Sequence, residues 1–221
     1  MSPALEVKEL SRYYGNFRAL APTSFAIQEK EIVVLTGLNG AGKSTLLQCL
    51  GGLLRPSSGN ISICGFDLYD QEVEARRRLA FVPDVPRFYI ELTAWEHLKF
   101  IALAHYPGPS LAAESFEERA RSILEELGLW DARDLYPHNY SRGMRLKLGL
   151  ALALIRSFDV LIMDEPTSAL DPQAVEYLSA KFRALSDQGA AILLSSHHLD
   201  LISSLNASQW RMRKGMLEQS A

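Results

Sequence analysis

Residues 37–45, Gly-Leu-Asn-Gly-Ala-Gly-Lys-Ser-Thr, carry the clearest chemistry in the chain. They fill the Walker A pattern G-x-x-x-x-G-K-[ST], a glycine-rich turn between a strand and a helix. Glycine reaches backbone dihedrals closed to other residues and puts no side chain between loop and ligand. The loop's N–H groups and the start of the helix then converge on phosphate oxygens, which makes Gly37, Asn39, Gly40, Ala41, Gly42 and Thr45 a phosphate cradle. Lys43 is placed to reach the β- and γ-phosphates, and Ser44 to offer its hydroxyl to Mg²⁺. The ligand implied is a nucleoside triphosphate.

Two further groups belong to the ends of apolar strands. Val160-Leu161-Ile162-Met163 runs into Asp164-Glu165. In parallel α/β sheets ligands bind beyond the carboxyl ends of strands, so both acids are expected near the phosphate loop. Adjacent strand residues face opposite ways, which gives them different work. Asp164 is the candidate to hold Mg²⁺, directly or through water. Glu165 is the candidate to polarise the water that attacks the γ-phosphorus. Ser195-Ser196-His197-His198 follows a second apolar strand; a neutral His197 has one donor and one acceptor with which to join phosphate and water. His198 reads as a surface histidine.

Tyr13 and Tyr14 precede Gly15 on an early strand, and Tyr14 is the candidate to stack on a nucleotide base, with packing on the N-terminal sheet as the alternative. Tyr140-Ser141-Arg142-Gly143-Met144 opens an apolar helix that Ser141 can cap, a second anion-binding device. It sits in a lobe distant in sequence from the first loop; a single chain would find it hard to direct both at one phosphate group, but two chains facing each other could.

Leu5–Leu10 alternates like an edge strand, and Ala19–Ile27 and Ile32–Thr36 continue a strand-rich start. Leu53–Gly59 is a turn and Asn60–Cys64 a short strand. Glu72–Arg78 is helical, with Arg76-Arg77-Arg78 as a solvated face, and Leu79–Pro83 is a buried strand stopped by proline. The pattern then becomes helical. Thr93 and Glu96 form a capping box opening a helix to about Tyr106, Pro107-Gly108-Pro109 breaks it, a second helix spans about Leu111 to Leu127 before Gly128, and a third runs from Ser141 to Arg156. Val160–Met163 lacks alternation, as a central parallel strand covered on both faces should. Asp171-Pro172 starts a helix ending near Gly189, Ala190–Leu194 is buried, and Ala207–Leu217 is a hairpin about Lys214-Gly215. A helical lobe growing out of an α/β core is the organisation implied.

With 221 residues, 48% of them hydrophobic and 22% charged, the composition is that of an ordinary globular chain. A formal charge of −3 does not point to nucleic acid or anionic lipid as a non-specific partner. Cys49 and Cys64 are the only cysteines and read as two buried thiols in a reducing compartment. The longest apolar run, Leu148–Ile155, falls far short of the roughly eighteen residues of a membrane span. The start, MSPALEVKEL, lacks the features of a signal peptide. A soluble polypeptide, at a membrane only through a partner, is expected.

In order and spacing these motifs resemble the nucleotide-binding subunit of an ATP-binding-cassette (ABC) transporter, over about Leu5 to Leu217. Residues 37–45 match its Walker A, Val160–Glu165 its Walker B with the catalytic glutamate, and Ser168-Ala169-Leu170-Asp171 its D-loop, which crosses the dimer interface. His197 matches its switch histidine and Tyr14 its adenine-stacking aromatic. The resemblance implies an α/β fold: a P-loop NTPase core of mixed or parallel sheet with N-terminal antiparallel strands (1–85 and 158–217) and an inserted helical subdomain (86–157). Two departures stand out. The family's Leu-Ser-Gly-Gly-Gln signature is here Tyr140–Met144, keeping Ser141 and Gly143 but placing Arg142 at a glycine. The glutamine that couples Mg²⁺ and attacking water to the transporter interface is replaced by Asp84, which could still approach Mg²⁺ through water. Both resemble variations in ATPases paired with small bacterial exporter-type permeases.

The resemblance further implies two subunits head to tail, a second copy or a homologous ATPase subunit, with each ATP between one Walker A and the other chain's Ser141 region. Motion would pass to separate integral membrane permease subunits, through a surface between Asp84 and the helix after Thr93 where Phe88, Tyr89 and Trp95 cluster; packing in the lobe is the alternative for these aromatics. The protein would then sit on the inner face of the cell membrane through its permease. The rival is a non-transport ABC ATPase clamping nucleic acid or a ribosome. The insertion between the Walker motifs is too short for a coiled-coil clamp, and the chain carries one cassette where translation-factor types carry two.

Overall fold

The computed structural model describes residues 2–105, 113–168, 170 and 172–219. It divides into two units, residues 1–81 with 158–221, and residues 82–157. The expected break at Pro107-Gly108-Pro109, and Ala169 and Asp171 of the Ser168–Asp171 motif, lie outside the described residues.

The first unit begins with β1 (Leu5–Tyr14), β2 (Phe17–Ile27) and β3 (Ile32–Thr36), then α1 (Lys43–Leu50), β4 (Ser58–Ile63), β5 (Phe66–Asp67), α2 (Glu72–Arg78) and β6 (Leu79–Val82). The second unit holds α3 (Ala94–His105), α4 (Ala113–Glu126) and α5 (Arg142–Leu154), with short 3-10 turns at Trp130–Ala132 and Pro137–Asn139. The first unit resumes with β7 (Val160–Asp164), α6 (Pro172–Asp187), β8 (Ala191–Ser195), α7 (Leu199–Leu205), β9 (Ser208–Arg213) and β10 (Met216–Gln219).

A four-stranded sheet has the order β2-β1-β4-β5, antiparallel throughout. A six-stranded sheet has the order β10-β9-β3-β8-β7-β6, with β9, β3, β8 and β7 parallel and β10 antiparallel at its edge. Every residue of β7 and β8 is buried, which is why neither strand alternates in sequence. Apolar residues of both sheets, among them Leu5, Ile61, Val33 and Ile162, share one core with Leu46, Leu47 and Leu50 of α1. Burial of α1 on most of its sides fixes the helix that begins at the phosphate loop.

Three expectations are corrected. β1 is not an edge strand: it lies between β2 and β4, and its alternation records one buried face, not an open edge. Its pairing with β4 shifts register between Lys8 and Ser11, where Glu9 has φ 48°. Cys49 is fully buried, and burial pushes its thiol up to about 11, but Cys64 is only half-buried. The helix α7, between His198 and the last hairpin, has no counterpart in the sequence reading; its seven residues are too few to show a period.

In the helical unit the capping box is present at atomic detail. The Thr93 N–H donates to Glu96 Oε2 at 2.8 Å, and the Glu96 N–H donates to Thr93 Oγ1 at 3.2 Å. Trp95 packs on Phe116 and Trp130, with ring centroids 5.4 and 5.9 Å apart. Tyr140 is buried and its hydroxyl donates to the Ala132 carbonyl at 2.7 Å; burial pushes the phenol up to about 12, so it remains a donor. No helix among the described residues is long and apolar enough to cross a membrane.

Candidate functional site

The phosphate loop connects the carboxyl end of β3 to the start of α1. Gly42, at the N-cap, has φ 106° and contributes no side-chain cap, so the first-turn N–H groups of α1 keep their capacity for an anion. A Cβ on Gly37 would come to 2.4 Å from the Met212 carbonyl oxygen, so only glycine fits there. Lys43 is buried and folds back over the loop, donating from Nζ to the Gly37 carbonyl at 2.8 Å. Its Nζ also lies 3.8 Å from Glu165 Oε1. Asn39, Gly40 and Ser44 are exposed along this turn, whereas Ala41 is buried.

Parallel pairing of β7 with β8 sets Asp164 opposite Ser195. The buried Ser195 hydroxyl donates to Asp164 Oδ1 at 2.5 Å and accepts from the Glu165 N–H at 2.8 Å. One serine thus fixes both acids. Glu165 leaves the strand with φ 49°, a turn that swings its carboxylate toward Lys43 on one side and His197 on the other. His197 Nδ1 is 2.9 Å from Glu165 Oε2. A carboxylate oxygen accepts, which makes Nδ1 the donor in this contact; in the neutral tautomer that follows, Nε2 is an acceptor. Lys43, Glu165 and His197 therefore form a continuous line of polar contacts.

Ser195 is the residue sequence reading missed. A polar residue closing an apolar strand, one place before the two chemical residues of that turn, was the available signal.

Tyr14 is exposed at the tip of the β1–β2 hairpin, opposite Phe17, and the Arg12 guanidinium sits 4.6 Å from its ring centroid. Arg12 pairs with Leu20 of β2, and Leu20 Cδ2 lies 3.2 Å from where a Cβ on Gly42 would be. The hairpin that carries Tyr14 thus reaches the phosphate loop. His198 caps α7 through its backbone position and stacks obliquely on His197 with centroids 4.5 Å apart.

Within the helical unit, Ser141 is the N-cap of α5, and its Oγ accepts from the Met144 N–H at 3.2 Å. Gly143 is half-buried in the first turn. The two residues that depart from the family pattern meet: Arg142 donates to Asp84 Oδ1 at 2.8 Å. Nothing in the sequence pattern linked them. The aromatic cluster divides. Trp95 belongs to the packing of the unit, whereas Tyr89 and Ile90 are exposed, and Tyr89 meets Phe100, itself 48% exposed, edge to face at 5.5 Å. His97 holds this loop: its Nε2 accepts from the Tyr89 N–H at 3.0 Å, which leaves Nδ1 as the donor to the Thr93 carbonyl at 2.7 Å.

A family model described as ABC transporter matches residues 20–168. The chain is 34% identical over 215 residues to the SkfA peptide export ATP-binding protein SkfE of Bacillus subtilis (strain 168), covering 97% of this chain and 87% of that protein. It is 32% identical over 224 residues to the methionine import ATP-binding protein MetN of Chlamydia felis (strain Fe/C-56), covering 99% of this chain but 65% of that longer relative. Among solved structures, an ATP binding subunit of an ABC transporter superposes with a TM-score of 0.88 at 35% identity, over 98% of this chain and 90% of that one. An ATP-binding cassette solved as a dimer in a post-hydrolysis state with ADP and Pi shares the fold, with a TM-score of 0.87 at 23% identity over 97% of this chain and 98% of that one. With the phosphate loop, the paired acids and the histidine converging in the same fold, the chain belongs to the ABC transporter family as an ATP-binding, ATP-hydrolysing subunit.

Proposed function

We propose that the chain hydrolyses ATP to ADP and phosphate as one half of a head-to-tail dimer and drives transport through separate integral membrane permease subunits. The observation that carries the hydrolytic reading is the Lys43–Glu165–His197 line, with contacts of 3.8 and 2.9 Å. Lys43 leaves the Gly37 carbonyl for the β- and γ-phosphates when ATP enters. Glu165, released from that cation, accepts hydrogen bonds from the attacking water, and the acceptor Nε2 of His197 holds the water's second proton or, once protonated, donates to the γ-phosphate. Tyr14 stacks on adenine, the Arg12 cation turning aside or remaining on the far ring face.

Mg²⁺, bound with the nucleotide, would neutralise charge on the phosphates. The donors on offer are hard oxygens: the exposed Ser44 hydroxyl and Asp164, of whose two carboxylate oxygens Ser195 takes Oδ1. Such a set fits Mg²⁺, which keeps waters and binds through one or two carboxylates plus substrate phosphates. Asp84, if parted from Arg142, would be a further carboxylate able to approach the ion through water.

Ser141 and Gly143 of a partner chain complete the phosphate site, with the Ser168–Asp171 loop crossing between subunits. The relative solved with ADP and Pi is itself a dimer, which supports this assembly. The surface carrying the exposed Tyr89, Ile90 and Phe100 supports a receiving face for the permease, through which the protein would sit at the inner face of the cell membrane. Mixing two crippled variants tests the composite site. Lys43→Ala and Ser141→Arg chains are each expected to be inactive, whereas an equal mixture forms dimers with one intact site and recovers up to about a quarter of wild-type turnover. No recovery on mixing contradicts the head-to-tail assembly.

A further inference from the structure

The phosphate loop is gripped from outside by the hairpin β9–β10, which comes from the far end of the described chain. Three contacts make the grip. Thr36 Oγ1, just before the loop, donates to the Trp210 carbonyl at 3.0 Å. The Met212 carbonyl lies against Gly37, and Met212 Cε is 3.0 Å from the place a Cβ on Gly42 would take. At the hairpin turn, the Gly215 N–H donates to the Ala41 carbonyl at 2.8 Å, while the Gly215 carbonyl accepts from the Ala21 N–H at 2.8 Å. The turn is thereby fastened to β2 on one side and to the loop on the other.

We propose that Gly215 is a positioning residue for nucleotide binding: its N–H holds the Ala41 carbonyl outward and so aims the Gly42 N–H at the phosphates. The reasoning is that of the peptide unit. Across a planar trans peptide the carbonyl and the N–H point in opposite directions. The Ala41 carbonyl is turned to the hairpin, so the N–H of the same unit, that of Gly42, faces away from it. The Ala41–Gly42 peptide borders a glycine with φ 106°, a joint with little steric resistance to rotation. Released from Gly215, this peptide can turn its carbonyl oxygen toward the nucleotide and present an anion with an acceptor in place of a donor.

Gly215 itself is held in place. Its φ is 76°, and a Cβ would come to 2.5 Å from the Ala19 carbonyl oxygen, so a larger residue must push the turn away from β2 and from Ala41. Gly65 is a matched control in the same unit: its φ is 84°, but a Cβ there meets nothing within 4 Å.

The inference rests on the phosphate loop being the nucleotide site. It is tested first without any variant, by amide hydrogen exchange of Gly215 with and without ADP. If the Gly215 bond favours the nucleotide, the nucleotide favours the bond by the same factor. Loss of one hydrogen bond to a charged acceptor predicts a factor of about ten or more. The Gly215 amide is therefore expected to exchange about tenfold more slowly with ADP bound. In Gly215→Ala the dissociation constants of ADP and ATP should rise about tenfold, and the Gly42 amide proton should lose its ADP-induced shift in the NMR spectrum. Gly65→Ala should lower thermal stability and leave nucleotide affinity alone. ADP binding by the wild type with unchanged Gly215 exchange, or equal weakening by Gly65→Ala, overturns the inference. Failure of the wild type to bind ADP at all would overturn the site reading on which it stands.

Discussion

Replacing Ser195 with alanine removes one oxygen and two hydrogen bonds from a buried position. The bond to Asp164 Oδ1, at 2.5 Å, has a charged acceptor, and the bond from the Glu165 N–H, at 2.8 Å, is neutral. Bonds to charged groups contribute roughly 1.5–3 kcal/mol and neutral ones about 1 kcal/mol, so the sum is about 2.5–4 kcal/mol. The alanine methyl occupies nearly the same volume, so cavity formation adds little. For a chain of this size each kcal/mol moves the melting temperature by roughly 2–4 °C, which predicts a fall of about 5–16 °C. The effect on turnover follows from the backbone. Glu165 sits at φ 49°, a conformation that a non-glycine residue keeps only when its surroundings hold it, and Ser195 is one of the groups holding it. The carboxylate should lose its alignment, so kcat falls, while KM for ATP changes less because Lys43 and the phosphate loop are untouched. Urea unfolding paired with steady-state phosphate release measures both quantities. A stability loss below about 0.5 kcal/mol together with wild-type kcat refutes the role given to Ser195.

The ion pair between Arg142 and Asp84 joins half-exposed side chains, so its contribution to stability is discounted to about 0–1 kcal/mol, and an Arg142→Ala/Asp84→Asn cycle in thermal unfolding should give a coupling in that range. Asp84→Asn is expected to raise the Mg²⁺ concentration giving half-maximal turnover and Arg142→Gly to lower it; no movement in either variant removes Asp84 from the metal's surroundings. Glu96 is held below its ordinary range by the Thr93 N–H and hydroxyl. A depressed carboxylate adds stability that is complete above its unfolded pKa of about 4.3 and is lost as pH falls through the lower folded value. The start of α3 should therefore fray on acidification below about pH 4, and Thr93→Ala should return Glu96 to its ordinary titration by NMR; a wild-type Glu96 titrating at about 4.3 contradicts the capping box as its cause.

What could be read from the sequence is what short-range patterns encode. The phosphate loop, the strand ends at Asp164 and before His197, the Thr93–Glu96 box and the Ser141 cap all declare themselves within a few residues. So does the alternation of Leu5–Leu10, but alternation reports a buried face and not the number of neighbours, and the strand is interior. The supports of the site are long-range. Ser195 meets Asp164 only through the register of two parallel strands, and Gly215 meets Ala41 only because β9 pairs with β3. The Arg142–Asp84 contact likewise needs the helical unit to be folded before two charges far apart in sequence become partners.

In the proposed mechanism Glu165 drives hydrolysis in a site that two chains close around ATP. Sedimentation of the Glu165→Gln variant with Mg²⁺ and ATP tests it most directly, because the substitution keeps the side chain's shape and removes its power to polarise water. A nucleotide-dependent dimer that retains unhydrolysed ATP and dissociates when ATP is withdrawn is expected. A variant that stays monomeric with saturating ATP, or that releases phosphate at the wild-type rate, contradicts it.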